Sequence, residues 1–357
     1  MIGRIRTLSQ INPAYAALEK EIENVLSSST RTDLESKFVQ KLTDKREIEG
    51  ALTRILGTGA DEDVTMALNA IWPADLVLPT IYDDAVSYSI TAKLIEQVRS
   101  AATMLGFEQS GYGGFCCAPT GYVGAMAIPV AIDEYQESKI FVVFESGLLT
   151  FIDGIIRLTV AATPNDLLAG EVPEDWNKAW DRHKADTKNL DQLRQTGTDL
   201  RAWMNFIKKH DRKELAYVGL QEMRPTEVHI VASMVESAQL FVTAHEYVHA
   251  IKGHDDPMLA DDYVEKEADK IGSDLVVAAL SQRSDVNMYF SLAGIALAIE
   301  AICINYTPEH AHLPPAERAE LMLNAVPFTD SAHLIIAKKI MNIYKNILHD
   351  LLSLTTL

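Results

Sequence analysis

The sequence predicts a mainly α protein of the α+β type, with a small β-sheet and a helical N-terminal region. Apolar residues recur every three or four positions over most of the 357-residue chain, which is typical of amphipathic helices. Two short runs rich in Val, Ile and Phe, 123–132 and 139–144, are typical of strands. Because 48% of the residues are apolar, the chain can bury a sizeable core. We expect a helical region over 1–105 and a second domain over 106–357, with a helical insertion at about 160–230.

The first half of the chain divides into a helical part and a strand-forming part. The helical pattern extends over 13–105. The segment 106–122 is rich in glycine and aromatic residues, and it predicts a loop between the domains. The runs 123–132 and 139–144 are joined by a polar segment, so they predict a hairpin or two neighbouring strands.

The second half of the chain is predicted to be helical. A long helix begins near 227 and ends near Gly253, since glycine commonly terminates a helix. A second helix begins at Glu265. The apolar run 288–304 falls short of the roughly 20 residues that span a membrane and carries Glu300, so it predicts a buried helix.

Charge and cysteine content exclude several classes of protein. The net charge of −18 argues against nucleic acid as the main partner, because binding phosphates requires clustered Lys and Arg. Cys116, Cys117 and Cys303 form no disulfide framework, which is typical of a reducing compartment. The N-terminus resembles neither a secretory signal nor an anchor. We expect a cytoplasmic protein without a membrane span, and the sequence leaves its oligomeric state open.

The stretch FVTAHEYVHAIKGH, residues 241–254, contains the most informative pattern. His245 and His249 are four residues apart, so on a helix both can present an imidazole nitrogen to one metal ion. Glu246 lies beside them and could accept a proton from a water on that ion. This is the HExxH arrangement of two zinc ligands and a general base. The alternative is that these are ordinary polar residues on a buried helix.

The acidic segment that follows offers a third ligand. Glu265 opens an ExxAD pattern, and two histidines with one glutamate leave a coordination position open for water and substrate, which indicates catalysis. Asp269, one turn further, could accept the second ring proton of a ligand histidine. Glu267 is the rival for the ligand role and is otherwise expected to be solvated. His254 does not have the spacing of a third histidine ligand.

These motifs resemble those of a known family of enzymes. HExxH followed by ExxAD is similar to the gluzincins, and the details resemble the HtpX and CAAX-prenyl-protease type of zinc metallopeptidase. The stretch AMAIPVAIDEYQESKIFVVFESGLLTFI resembles that family's strands and GLL helix. HEYVHAIKGH shares its HExxHxxxxH spacing, and HLPPAER, residues 312–318, resembles its HPPxxER segment.

The resemblance implies a zincin-like metallopeptidase domain with one Zn²⁺ held by His245, His249 and Glu265. It also implies that His312 stabilises the oxyanion of the tetrahedral intermediate and that Arg318 supports His312; His310 is an alternative to His312. Unlike for that family, the sequence predicts no membrane-spanning segment, and a long insertion, expected to cover or shape the cleft, separates the GLL helix from HExxH.

A weaker resemblance to the Lit-type phage-exclusion peptidases suits a chain without membrane spans. Together the two resemblances imply a regulated cytoplasmic metalloprotease acting on a peptide or protein substrate, with a role in stress or phage defence. The strand at 123–132 or the one at 139–144 would bind the substrate backbone by edge pairing. Two alternatives are a zinc-stabilised binding or regulatory module without turnover and a helical scaffold in which HEYVH is accidental.

Overall fold

The structure, a computed structural model, describes residues 6–25, 49, 62, 65–66, 68–69, 77–83, 85–118, 124–131, 138–145, 147–168, 175–209, 225–254, 261–305, 313–328 and 330–354. A short 3-10 turn covers Leu8–Gln10. In chain order the other elements are β1 (Arg6–Thr7), α1 (Pro13–Val25), β2 (Val77–Leu78), α2 (Ala85–Met104), β3 (Tyr112–Ala118), β4 (Ala125–Ala131), β5 (Ser138–Glu145), α3 (Leu148–Ala161), α4 (Asn165–Leu168), α5 (Trp176–Ala185), α6 (Thr187–Lys209), α7 (Pro225–Lys252), α8 (Asp261–Ser281), α9 (Met288–Asn305), α10 (Pro315–Ala325) and α11 (Ser331–Ser353). The prediction of a mainly α protein with a small sheet is confirmed.

The sheet has three strands in the order β3-β5-β4. β5 pairs in parallel with β3 and antiparallel with β4, so the prediction that the two apolar runs are neighbouring strands is confirmed. The side chains of β5 point alternately into two hydrophobic cores. Phe141 and Val143 pack with residues of α1, whereas Ile140, Val142 and Phe144 pack into the larger helical core. Both faces of β5 are buried over residues 140–144, and this part of the strand is accordingly apolar.

The prediction of a loop over 106–122 is wrong, because β3 occupies Tyr112–Ala118. Its glycines are required by the aromatic rings that cover the strand. A Cβ atom on Gly113 would lie 2.4 Å from Cε2 of Phe141, and one on Gly114 would lie 2.3 Å from the hydroxyl of Tyr15. A pattern of glycine and aromatic residues that is typical of a loop is therefore compatible with a strand.

The order of the strands shows which of the two predicted strands could pair with a substrate backbone. β5 has a neighbour on each side, so the segment 139–144 cannot accept an added strand. Within the described residues β4 lies at the edge, and Pro129 in its middle is typical of an edge strand. Of the two candidate strands, only 123–132 can pair with an extended peptide.

Helix α7 is the central element of the fold. It packs against α2, α3, α8, α9 and all three strands. It is apolar around most of its circumference, as expected for a helix that has neighbours on every side. Helix α9 is likewise apolar all round and packs between α7 and α11, which confirms the prediction of a buried helix over 288–304.

The described helices of the predicted insertion are α4, α5 and α6, and the short α4 contacts α7. Trp176, Trp180 and Trp203 are buried in it. Helices α5 and α6 pack against each other, and α6 also packs against α3 and α11. No predicted site residue lies on α3, α4, α5, α6 or α11.

The described part of the N-terminal region contributes to both cores. Helix α1 lies on the sheet through Ala14, Leu18 and Ile22, and α2 packs against α7 and α8. Both helices lie within the predicted helical segment 13–105. The division of the chain at residue 105 stays a prediction.

Candidate metal centre

Helix α7 places two histidines side by side. One helical turn separates His245 from His249, and their ring centroids are 4.8 Å apart. Nε2 of His249 lies 3.1 Å from Nε2 of His245, and both residues are buried. The two Nε2 atoms therefore face a common point. Glu246 follows His245 directly on the same helix and is partly exposed.

Helix α8 brings Glu265 to the same point. Its Oε2 atom lies 3.2 Å from Nε2 of His245, and its Oε1 atom lies 3.6 Å from Nε2 of His249. One donor atom from each of the three residues lies within 4.8 Å of the others. Two imidazole nitrogens and one carboxylate oxygen are a donor set that zinc takes in proteins, so the residues present fit this ion.

Asp269 and Arg318 support the far side of His245. Oδ1 of Asp269 lies 2.9 Å from Nδ1 of His245, the ring nitrogen that faces away from Glu265. Arg318, on α10, donates to the same oxygen from Nε at 3.0 Å and from Nη2 at 2.7 Å. Asp269 and Arg318 are both buried. Three helices therefore meet at this group of side chains.

The predicted contact of Arg318 with His312 stays a prediction. His312 and the alternative His310 lie outside the described residues. Arg318 contacts Asp269, and its guanidinium carbon also lies 5.6 Å from the centre of the Phe241 ring. Arg318 therefore acts on His245 through Asp269.

His254 and Glu267 lie on the far side of His249. Nδ1 of His254 is 3.1 Å from Nδ1 of His249, and Nε2 of His254 is 2.9 Å from Oε2 of Glu267. Glu267 also lies within 3.5 Å of Nζ of Lys252. The expectation that Glu267 is simply solvated is therefore wrong.

The two central histidines have opposite protonation in the absence of a metal. Burial by itself lowers the pKa of His245, but hydrogen bonds to Asp269 and Glu265 outweigh it and raise this pKa to about 10. Burial, and then the charge of His245, lower the pKa of His249 to about 3. Near neutral pH, His245 carries a positive charge and His249 is neutral.

Asp269 is ionised in the same state. Burial raises the pKa of its carboxyl group, but the hydrogen bond from His245 and the charge of Arg318 bring this pKa below its ordinary value. The buried carboxylate is therefore stabilised by two positively charged neighbours, which is the condition under which a buried charge persists.

The two adjacent cysteines belong to the sheet. Cys116 and Cys117 lie in β3 as buried thiols that form no disulfide, and the amide of Cys117 donates to Asp83. The sequence did not indicate the contact between Arg318 and Asp269 or the one between His254 and His249. The motif that contains Arg318 marked that residue and the glycine before His254 marked the helix end, but neither showed the partner.

The comparisons with known proteins identify no relative. No family model and no curated protein matches the sequence, and no solved structure matches the fold. Within the part of the chain that is described, no helix is both long and apolar enough to cross a membrane. The chemistry of the site itself is therefore the basis for a function.

Proposed function

We propose that the protein is a zinc-dependent endopeptidase of the gluzincin type, with a zincin-like catalytic domain. The observation that supports this proposal most directly is the convergence of His245, His249 and Glu265, with Glu246 on the same turn of α7. Three protein ligands leave a coordination position open, whereas structural zinc sites are usually closed by four.

Each residue of the site has a defined task in peptide hydrolysis. His245, His249 and Glu265 hold the zinc ion, which when bound lowers the pKa of water and polarises a carbonyl group. Glu246 accepts the proton of the attacking water and then passes it to the leaving amine. His312 donates to the developing oxyanion.

The substrate binds as an extended strand along β4. This strand lies at the edge of the described sheet, and it contacts α7, the helix that carries the histidines. Pairing between backbones provides affinity without strong sequence preference. A protease of this kind requires regulation in a cytoplasm, and a role in stress or phage defence agrees with that requirement.

The first experiment measures metal content and hydrolysis together. We expect about one zinc per chain in the wild type and none in Glu265→Ala. Asp262→Ala, an exposed carboxylate one turn earlier on α8, is the matched control and keeps its zinc. Absence of zinc from the wild type after purification and reconstitution would contradict the proposal.

Hydrolysis separates an enzyme from a binding module. Against a mixture of unfolded peptides analysed by mass spectrometry, Glu246→Gln retains zinc and loses about 10²- to 10⁴-fold in rate, the contribution of a general base. Glu96→Gln, an exposed residue of α2, is the control. Equal cleavage by Glu246→Gln would refute the assignment of the base. Zinc binding without any cleavage would favour a zinc-stabilised module.

A further inference from the structure

The end of helix α7 folds a histidine back onto the metal centre. The helix ends at Lys252, and Gly253 takes a left-handed conformation with φ 66°. The amide of His254 then donates to the carbonyl of His249 at 3.1 Å, which closes the helix end. The imidazole of His254 is 2% exposed. A residue just beyond a helix is usually solvated, so this burial requires an explanation.

His254 approaches the edge of His249 that faces away from the metal ligands. The contact of 3.1 Å joins the two Nδ1 atoms. The other ring nitrogen of His249, Nε2, is the one that faces His245 and Glu265. His254 therefore contacts a ligand without facing the point where the three donor atoms converge.

Glu267 determines which nitrogen of each ring carries a proton. Its carboxylate accepts a hydrogen bond, so Nε2 of a neutral His254 donates to it across 2.9 Å. Nδ1 of His254 is then an acceptor, and Nδ1 of His249 must be the donor across the next contact. This leaves the lone pair of His249 on Nε2, where a metal ligand needs it.

Lys252 holds the end of this chain of hydrogen bonds. Its ammonium group lies 3.5 Å from Oε1 of Glu267, while Oε2 receives His254. Both carboxylate oxygens are thereby engaged. Glu267, the rival of Glu265 as a ligand, is directed to His254 and Lys252 rather than to the metal centre.

We infer that His254, held by Glu267, is a positioning residue for His249, which it keeps in the tautomer and orientation that bind the metal. The inference rests on the proposed zinc site. The two ligand histidines are supported differently: His245 is held directly by a carboxylate, whereas a second imidazole stands between His249 and its carboxylate. Support of this kind typically changes metal affinity by about 10- to 100-fold.

The test measures the zinc dissociation constant of purified full-length protein by competition with a chromogenic chelator. We expect His254→Ala to bind zinc about 10- to 100-fold more weakly than the wild type. His254→Asn restores most of the affinity, because its amide oxygen can accept from Nδ1 of His249. His229→Ala, an exposed histidine on the same helix, is the control and binds like the wild type.

Glu267→Gln tests the second link of the chain. Its side-chain oxygen can still accept from Nε2 of His254, so we expect only a few-fold loss of zinc affinity, whereas Glu267→Ala approaches the loss of His254→Ala. X-ray absorption of the zinc-loaded protein supplies a readout that a purely structural role would not change. We expect two imidazole ligands in the wild type.

The outcomes separate this inference from the proposed function. A wild type that binds no zinc overturns both. If the wild type binds zinc tightly and the zinc dissociation constant of His254→Ala is within twofold of the wild-type value, the inference is overturned and the proposed zinc site is retained. Three imidazoles around the zinc would make His254 a ligand and would also overturn it. If His254→Ala fails to fold by circular dichroism, His254→Asn and the Glu267 pair decide the result.

Discussion

Asp269 joins a ligand histidine to a buried arginine. A single oxygen, Oδ1, accepts from His245 and from two nitrogens of Arg318. The side chains of Asp269 and Arg318 are 1% and 6% exposed, so water cannot replace either partner at low cost. At the scale of single residues, the stability of the site therefore depends on keeping this ion pair complete.

The first prediction concerns Arg318. Removing Arg318 takes two charge-assisted hydrogen bonds from the buried Asp269 and leaves it with His245 as its positively charged neighbour, a loss of about 3 kcal/mol. We expect Arg318→Ala to lower the free energy of unfolding of the metal-free protein by about this amount, as measured by urea denaturation. Arg194→Ala, a half-exposed arginine of α6, serves as the control. A loss as small as that of the control would contradict the structural role.

The second prediction concerns the proton that His245 releases when zinc binds. Since the hydrogen bonds of His245 outweigh its burial and raise its pKa to about 10, the metal-free protein carries this proton at pH 7. Zinc must displace it, whereas His249, with a pKa of about 3, is already deprotonated. We therefore expect release of about one proton per zinc at pH 7, and an affinity that rises by about tenfold per pH unit around neutral pH.

Titration calorimetry in two buffers of different ionisation enthalpy measures this release. Because the number of protons follows from the difference between the two observed enthalpies, the result does not depend on catalytic activity. Binding at pH 7 without net proton release would show that His245 is neutral in the metal-free protein.

At the scale of elements, the close approach of α8 to α7 sets the geometry of the site. Gly272 of α8 lies against the backbone of the first ligand: an added Cβ atom would be 3.2 Å from the amide nitrogen of His245 and 3.3 Å from its Cα atom. The same helix carries Glu265 and Asp269. Any increase in the distance between the helices therefore moves two site residues relative to His245.

The third prediction is that Gly272→Ala separates stability from metal binding. Alanine favours the helix by about 1 kcal/mol over glycine, which offsets the strain of a slightly displaced α8. We expect nearly unchanged stability and a loss of about 10-fold in zinc affinity, the size of effect seen when support of a ligand is disturbed. Chelator competition and urea denaturation, carried out on the same samples, measure the two quantities.

Gly294→Ala provides the contrast. Its Cβ atom would lie 2.3 Å from the carbonyl oxygen of Met234, where α9 crosses α7 away from the ligands. Overpacking against backbone destabilises by about 2 kcal/mol. We expect lower stability with unchanged zinc affinity of the folded fraction. If Gly272→Ala also lost stability but kept its affinity, the approach of the helices would not control the site.

At the scale of the whole molecule, the site connects parts of the chain that are far apart. His245 and His249 come from α7, Glu265 and Asp269 from α8, and Arg318 from α10. Helix α7 in turn packs against both the sheet and the buried helix α9. An ion bound here would link elements whose packing forms the main core.

The fourth prediction follows from this connectivity. A ligand that binds only the folded state raises the free energy of unfolding, by about 2.7 kcal/mol when free zinc is 100 times its dissociation constant. We expect zinc to raise the thermal unfolding temperature of the wild type and EDTA to reverse the increase. Glu265→Ala should unfold at the same temperature with and without zinc. An unfolding temperature of the wild type that does not change with zinc would contradict the proposed zinc site.

Much of the fold and of the site follows from local sequence patterns. The four-residue spacing of His245 and His249 places both on one helical face, because the α-helix repeats every 3.6 residues. The glycine at 253 ends α7, and the alternating burial of β5 agrees with its apolar sequence. The helical face and the helix end depend on contacts between residues that are close in the chain.

What the tertiary structure alone decided depends on residues that are distant in the chain. Glycine-rich β3 is a strand because it pairs with β5, and its glycines make room for the rings of Phe141 and Tyr15, of which its own sequence carries no sign. The choice of Glu265 over Glu267 depends on which carboxylate faces the histidines across the gap between α7 and α8. Helical periodicity determines which side of a helix a residue occupies, whereas only packing determines which other helix that side meets.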